Sequence, residues 1–208
     1  MTGEPPEEAT ESLFVQLDIS IVVPPGVRPI TRVSDLLASA VLDEVTETDR
    51  VLDYGTGSGV NAILAARRTA TVVAVDIVPS AVAAARSNAV RNRVADRITV
   101  LRSAGFAAVP GRFDVIIVDA TEVDLRMLSD FFADVDDHLA EGGRVLLQIA
   151  LTDDLAELLE LIRVHRLDRT TATQRSISWG GSRVPFLVFR LTRAGSGGLR
   201  AAVEQASG

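Results

Sequence analysis

The 208-residue chain has no cysteine, no lysine, two histidines and few aromatic residues. Each shortage closes off a chemistry. Without cysteine there is no disulfide, no thiolate metal ligand and no thiol nucleophile. All 21 basic residues are arginine, which excludes a lysine Schiff base and a P-loop lysine. His138 and His165 are too few for a histidine-rich metal site. No apolar run approaches the ~20 residues that cross a bilayer, and the N-terminus lacks the basic-then-apolar order of a signal peptide. A soluble cytoplasmic chain with no membrane partner is expected. The formal net charge of −7 repels phosphate backbones, so nucleic acid is a disfavoured partner.

What is present is enough apolar residue, 47% of the chain, to bury one substantial core. A single domain over residues 13–193 is expected. The first twelve residues are acidic and proline-containing, and residues 194–208 are small and polar, so both read as disordered tails.

Short Val- and Ile-rich runs alternate with helix-period segments. "RVLDY", "TVVAVDI", "RITVLR", "FDVIIVDA" and "GGRVLLQIAL" read as strands buried on both faces of a parallel sheet. Helices are predicted for "SDLLASAVLDEV", capped by Ser34, and for "PSAVAAARSNAVRN", with Pro79 in its first turn. A third is predicted for "DLRMLSDFFADVDDHLAEGG", stopped by Gly142 and Gly143, and a fourth for "TDDLAELLELIRVH", capped by Thr152. This alternation implies a doubly wound, Rossmann-like α/β fold with helices on both faces. The end breaks the rhythm: "DRTTATQRSIS", "WGGS" and "RVPFLVFRLTR" form an antiparallel hairpin about a glycine turn, with Trp179 at its tip. The proline-rich "ISIVVPPGVRPITRVSD" is expected to wander as a loop over the ligand end of the sheet, with Arg28 and Arg32 available to an acidic group.

The centre of the sequence is "VLDYGTGSGVNAILAA": strand, glycine turn, helix. That order puts Gly55, Gly57 and Gly59 at the carboxyl end of a strand, where open α/β sheets bind ligands. Asp76 ends the next strand, about 20 residues on, where a carboxylate accepts both hydroxyls of a ribose. Asp53 is available to a ligand amine or to the backbone of the glycine loop. The spacing departs from G-x-G-x-x-G, which favours a nucleoside ligand without a pyrophosphate.

"VLDYGTGSG", followed by Asp76, resembles the first two motifs of the class I S-adenosylmethionine-dependent methyltransferases. The resemblance runs most strongly from about Arg50 to Leu151. It implies a seven-stranded, mostly parallel sheet closed by an antiparallel hairpin. It also implies a cofactor shell of Asp53, Tyr54, Gly55, Thr56, Gly57, Gly59, Asp76, Ile77, Ser103, Ala104 and Asp119, with S-adenosylhomocysteine as product. "VRPITRVSDLLASAVL" is similar to the helix entry of release-factor glutamine methyltransferases and related small methyltransferase domains. The chain lacks their NPPY: Asp119, Ala120, Thr121 and Glu122 stand in its place. Ala104 occupies the position of the acid in their third motif, which leaves Ser103 or backbone to meet the adenine.

Methyl transfer is an in-line displacement, so the protein mainly aligns the reactants, excludes water and removes a proton where needed. Asp119, at the end of the fourth parallel strand, is the candidate catalytic residue, with Thr121, Glu122 and Asp124 along its rim. Gln148 and Thr152 are candidates for the acceptor pocket. No metal is expected, because the Asp-Asn pair of catechol-type O-methyltransferases is missing after "RVLLQIAL". His138 is expected on a solvated helix face and His165 near a helix C-terminus.

The leading expectation is methylation of a hydroxyl, carboxyl or amine on a small-molecule acceptor. A protein or RNA nitrogen is the alternative. Aminopropyl transfer, suggested by the likeness of "FDVIIVDATEVD" to polyamine synthases, and a non-catalytic S-adenosylmethionine-binding module stand behind these. A homo-oligomer is compatible with the sequence.

Overall fold

The computed structural model describes residues 10–14, 19–31, 33–122, 125–151, 155–179 and 182–195. Two strands, β1 (Thr10–Phe14) and β2 (Ile19–Val23), pair antiparallel as a separate two-stranded sheet. Helix α1 (Ser34–Glu44) follows, and then alternation begins: β3 (Arg50–Tyr54), α2 (Val60–Ala66), β4 (Thr71–Asp76), α3 (Pro79–Arg91) and β5 (Ile98–Arg102). After β6 (Phe113–Asp119) come α4 (Leu125–His138), β7 (Leu139–Ala150) and α5 (Leu155–Val164). The hairpin of β8 (Leu167–Trp179) and β9 (Ser182–Arg193) completes the described elements.

The main sheet has seven strands in the order β5-β4-β3-β6-β7-β9-β8. β3 pairs parallel with both β4 and β6, and β9 returns antiparallel between β7 and β8. The chain moves outward from β3 to β5 and then back to β6. The β3/β6 boundary is therefore the switch point of the winding, where the ends of neighbouring strands diverge and leave a crevice.

Continuous Val, Ile and Leu in the central strands follow from helices on both faces. One face packs Val51, Ala74, Val115 and Ile117 with buried residues of α1, α2 and α3. The other packs Leu52, Val75, Ile116 and Val118 against Phe131, Phe132 and Val135 of α4 and Leu158 and Ile162 of α5. None of the described helices is long and apolar enough to cross a membrane.

Three expectations change. The wandering loop begins as strand β2, with Ile19, Ile21 and Val23 fully buried, and its partner β1 starts inside the segment expected to be a tail. The free edge of β2 is satisfied by a helix. Asn88 Oδ1 accepts from Val22 N at 3.0 Å while its Nδ2 donates to Val22 O at 2.8 Å. Asn92, one turn later, repeats the pattern on Ser20 at 3.1 and 2.8 Å. Two amide side chains thus imitate a neighbouring strand. Second, Ser34 is the first residue of α1 rather than its cap, and its Oγ accepts from Thr31 N at 3.0 Å. Third, α4 stops at His138, before the glycines, because Leu139 already pairs with Phe113. Thr152, the tip residues Gly180 and Gly181, and most of both expected tails lie outside the described residues, as does the side chain of Trp179.

At the end of the sheet away from the glycine turn, Arg144 is almost fully buried. It donates to Asp49 Oδ2 at 2.9 Å, to Glu44 Oε2 at 3.0 Å and to the Glu44 carbonyl. Arg190 donates to the same Glu44 Oε2 at 3.1 Å.

Candidate functional site

The glycine turn is held from β4. Gly55 N and Thr56 N both donate to Val75 O, at 2.9 and 2.8 Å. Gly57 has φ +54°, a left-handed conformation that costs glycine little, and its N–H donates to Asp76 Oδ2 at 2.9 Å. Gly59, at φ +88°, precedes α2 in a tight approach to α3: a Cβ there would lie 3.0 Å from Ala85 Cα. The first two glycines therefore shape a ligand-facing loop, and the third allows two helices to meet.

Asp53 lies beneath this loop, not on its surface, and is 2% exposed. Its Oδ2 accepts from Thr56 Oγ1 at 2.5 Å and from Ala62 N at 3.0 Å. Burial pushes its pKa up to about 7 against the pull of those two hydrogen bonds, and the charges of Asp76 and Asp119 add to the rise. Of the two partners considered for Asp53, the structure supplies the loop and the first turn of α2.

A cavity of about 880 Å³ opens above the strand ends. It is bounded by Tyr54, Gly55, Gly57, Asp76, Ile77, Ser103, Ala104 and Asp119. Eight of the eleven candidate cofactor residues thus share one wall. Asp53, Thr56 and Gly59 are behind it. Asp76 spends one oxygen on Gly57 and the other on Val78 N, at 2.9 Å each. A carboxylate has about four lone-pair sites, so acceptor capacity remains for ligand hydroxyls. Ser103 turns its hydroxyl inward, donating to Gly105 O at 2.8 Å and accepting from Ala108 N at 3.0 Å. Backbone around Ala104, rather than the serine hydroxyl, faces the cavity.

Asp119 Oδ1 accepts from Thr121 N at 3.1 Å and Thr121 Oγ1 at 2.8 Å, with Gln148 Nε2 at 3.5 Å. Its Oδ2 is left toward Arg28 at 3.8 Å, and Arg28 Nε stands 3.9 Å from Glu122 Oε2. Gln148 is fully buried with no partner for Oε1 among the described residues, so it supports Asp119 from below instead of lining the pocket. Asp124 and Arg32 are outside the described residues.

The opposite wall escaped the sequence. Phe106 packs on Tyr54 at 4.8 Å and on Phe131 at 5.6 Å between centroids. His138, expected in solvent, stacks on Phe106 at 4.4 Å and 9°. Asp130 and Asp134 line the same wall. Burial raises the Tyr54 pKa above its ordinary value, and those two carboxylates add to the rise. The helical spacing of Met127, Phe131, Asp134 and His138 is the signal that marks this face.

The glycine cradle, the free acceptor capacity of Asp76 and the cavity's size fit an adenosyl ligand. The sequence decides between families. Residues 2–173 match the model of the family described as ribosomal protein L11 methyltransferase (PrmA). The chain belongs to the PrmA family. It is 36% identical over 161 residues to the ribosomal protein L11 methyltransferase of Geobacter sulfurreducens (strain ATCC 51573 / DSM 12127 / PCA), covering 76% of this chain and 50% of that one. The crystal structure of ribosomal protein L11 methylase from Lactobacillus delbrueckii subsp. bulgaricus matches with TM-score 0.67 and 26% identity, over 83% of this chain and 84% of that one. Methanocaldococcus jannaschii Trm5 in complex with adenosine shares the fold at TM-score 0.73 and 18% identity, over 91% of this chain and 57% of that one.

The class I methyltransferase fold and S-adenosylmethionine as cofactor are therefore those of the PrmA family, as the glycine motif implied. The chain spans about half the length of the curated PrmA relatives it matches. The expected small-molecule acceptor is overturned, because those relatives are named for a ribosomal protein. Composition had disfavoured nucleic acid and was silent between a metabolite and a protein.

Proposed function

We propose that the chain is an S-adenosylmethionine-dependent methyltransferase whose acceptor is an amine nitrogen of a protein, with ribosomal protein L11 as the candidate by relationship. The observation that carries this is one cavity joining the glycine loop, Asp76 and Asp119 in a chain of the PrmA family. When bound, the cofactor would supply an activated methyl on a sulfonium: a neutral nitrogen attacks that carbon in line, the carbon–sulfur bond breaks and the thioether S-adenosylhomocysteine leaves. The chain's own residues do the rest. The turn at Gly55 and Gly57 and the carboxylate of Asp76 hold the nucleoside part. Tyr54, Ile77, Phe106 and Val118 keep water from the cavity floor, where electrostatic interactions strengthen as water leaves.

Asp119 is the residue that meets the nitrogen. Thr121 occupies Oδ1, so Oδ2 is the oxygen presented to the cavity. A protein amine such as a lysine, with an ordinary pKa near ~10.4, must shed a proton to solvent before its lone pair can attack. Asp119 Oδ2 accepts a hydrogen bond from that nitrogen and orients it, and the wall's carboxylates attract the cationic form to the site. The domain expected over 13–193, extended to Thr10 where β1 begins, is the unit that carries this chemistry.

The test is incubation of the purified chain with methyl-labelled S-adenosylmethionine and L11, in parallel with small primary amines, followed by peptide mass mapping. Label in L11, lost in Asp119→Ala with cofactor binding kept, supports the proposal. Label confined to small amines, or retained by Asp119→Ala, overturns it.

A further inference from the structure

The cavity wall is one-sided in charge. Asp76, Asp119, Asp130 and Asp134 line it, and Arg28 is the only arginine on it among the described residues. Arg28 comes from the loop after β2, whose turn is closed by Val27 N donating to Pro24 O at 3.2 Å. Its side chain is 37% exposed, and its carboxylate neighbours stand at 3.8 and 3.9 Å, beyond hydrogen-bond reach. Charge holds the guanidinium over the cavity while its N–H fork is not closed on a described residue. Among the described residues, that fork is the arginine donor set this acidic wall offers to an anionic group.

The cofactor has one such group. S-adenosylmethionine carries a sulfonium and an ammonium, which suit the acidic wall, and a single carboxylate, which does not. Strand order supplies the distance. Asp76 ends β4 and Asp119, beside Arg28, ends β6, with β3 between them. Two strand spacings are roughly 10 Å, a span that suits an extended ligand with its ribose at one end and its carboxylate at the other. We propose that Arg28 binds the carboxylate at the methionyl end of the cofactor and so sets the preference for a carboxylate-bearing sulfonium over its decarboxylated counterpart. The assignment rests on the cofactor named under Proposed function and adds the residue that recognises its acidic group.

Calorimetric titration of wild type, Arg28→Gln and Arg28→Lys with S-adenosylmethionine and with decarboxylated S-adenosylmethionine tests it, with circular-dichroism melts recorded on each variant. The expected result is a loss of at least ~10-fold in affinity of Arg28→Gln for S-adenosylmethionine, as removal of a charge-assisted pair requires. Affinity for the decarboxylated ligand stays within about 3-fold, and Arg28→Lys, which keeps the charge, falls between. Equal losses for both ligands, or no loss for either, overturn the assignment. Unchanged affinity for S-adenosylmethionine with a raised KM for the acceptor also overturns it, by moving the carboxylate to the acceptor. Wild-type protein that binds neither ligand overturns the cofactor itself, which separates the two failures.

Discussion

Replacing Asp76 with alanine separates what this carboxylate does for the ligand from what it does for the loop. It accepts two backbone N–H groups, from Gly57 and Val78, each at 2.9 Å. The remaining lone pairs are those offered to the ribose. A hydrogen bond to a charged group contributes about 1.5–3 kcal/mol, so its loss weakens cofactor binding roughly 10- to 150-fold. The orphaned amides add a second effect. Val78 is exposed and its N–H hydrates, whereas Gly57 is half-buried and is left poorly satisfied, a stability loss of about 1–2 kcal/mol. For a chain of this size that is a fall in Tm of roughly 2–8 °C. Calorimetry with S-adenosylmethionine, S-adenosylhomocysteine and adenosine alone reads the first effect, and a thermal melt reads the second. The three ligands share the ribose, so their losses must agree. A folded Asp76→Ala whose affinities stay within about 3-fold of wild type would refute the ribose assignment. A loss shared by S-adenosylmethionine and S-adenosylhomocysteine but absent for adenosine would refute it too, by placing the Asp76 carboxylate at the methionyl end of the ligand.

Two further outcomes follow from buried charge. Asp53 has a folded pKa of about 7 against 3.8 unfolded, so the ionised form is disfavoured in the fold. Its contribution to stability is full below about pH 4 and lost as pH rises to about 7, a change on the order of 4 kcal/mol. Asp53→Asn should therefore gain on wild type across that window in urea titrations at successive pH values, and a gap that is flat or narrows with pH contradicts the burial argument. Arg144→Met leaves Asp49 buried beside an apolar side chain, while Glu44 keeps Arg190. Unfolding in urea should register a loss of about 3–5 kcal/mol, largely restored by adding Asp49→Asn; a loss under ~1 kcal/mol would mean that the network is solvated in practice.

The main sheet was readable because its signals are local. Uninterrupted Val and Ile runs mark strands covered on both faces, and the glycine turn after "VLDY" marks the ligand end. Trp179 and the glycines after it separated β8 from β9. The hairpin of β1 and β2 was not readable, because what stabilises β2 is Asn88 on α3 and Asn92 at its C-cap, 66 and 72 residues further along. Prolines after Val23 made the segment look like a loop. In the site, Asp76 and Asp119 stand out as strand-terminal acids. The burial of Asp53 and the stacking of His138 on Phe106 depend on neighbours that no local pattern names. The acceptor was misjudged because methyl transfer asks for no distinctive side chains, and the absence of NPPY with Asp119 in its place pointed away from amide nitrogens without separating a metabolite from a protein.

Asn88 reaches further than the hairpin. The Nδ2 that donates to Val22 O also donates to Ser58 O in the glycine turn, at 2.9 Å. One side chain is thus a rivet through two layers, and loosening either layer strains the other. The Val22 amide proton, bonded to the same asparagine, is then shielded from solvent deuterium only while the turn keeps its shape. Slow exchange at Val22 becomes a clock for the order of a loop to which it has no direct bond, and a ligand that stills the turn lengthens its tick.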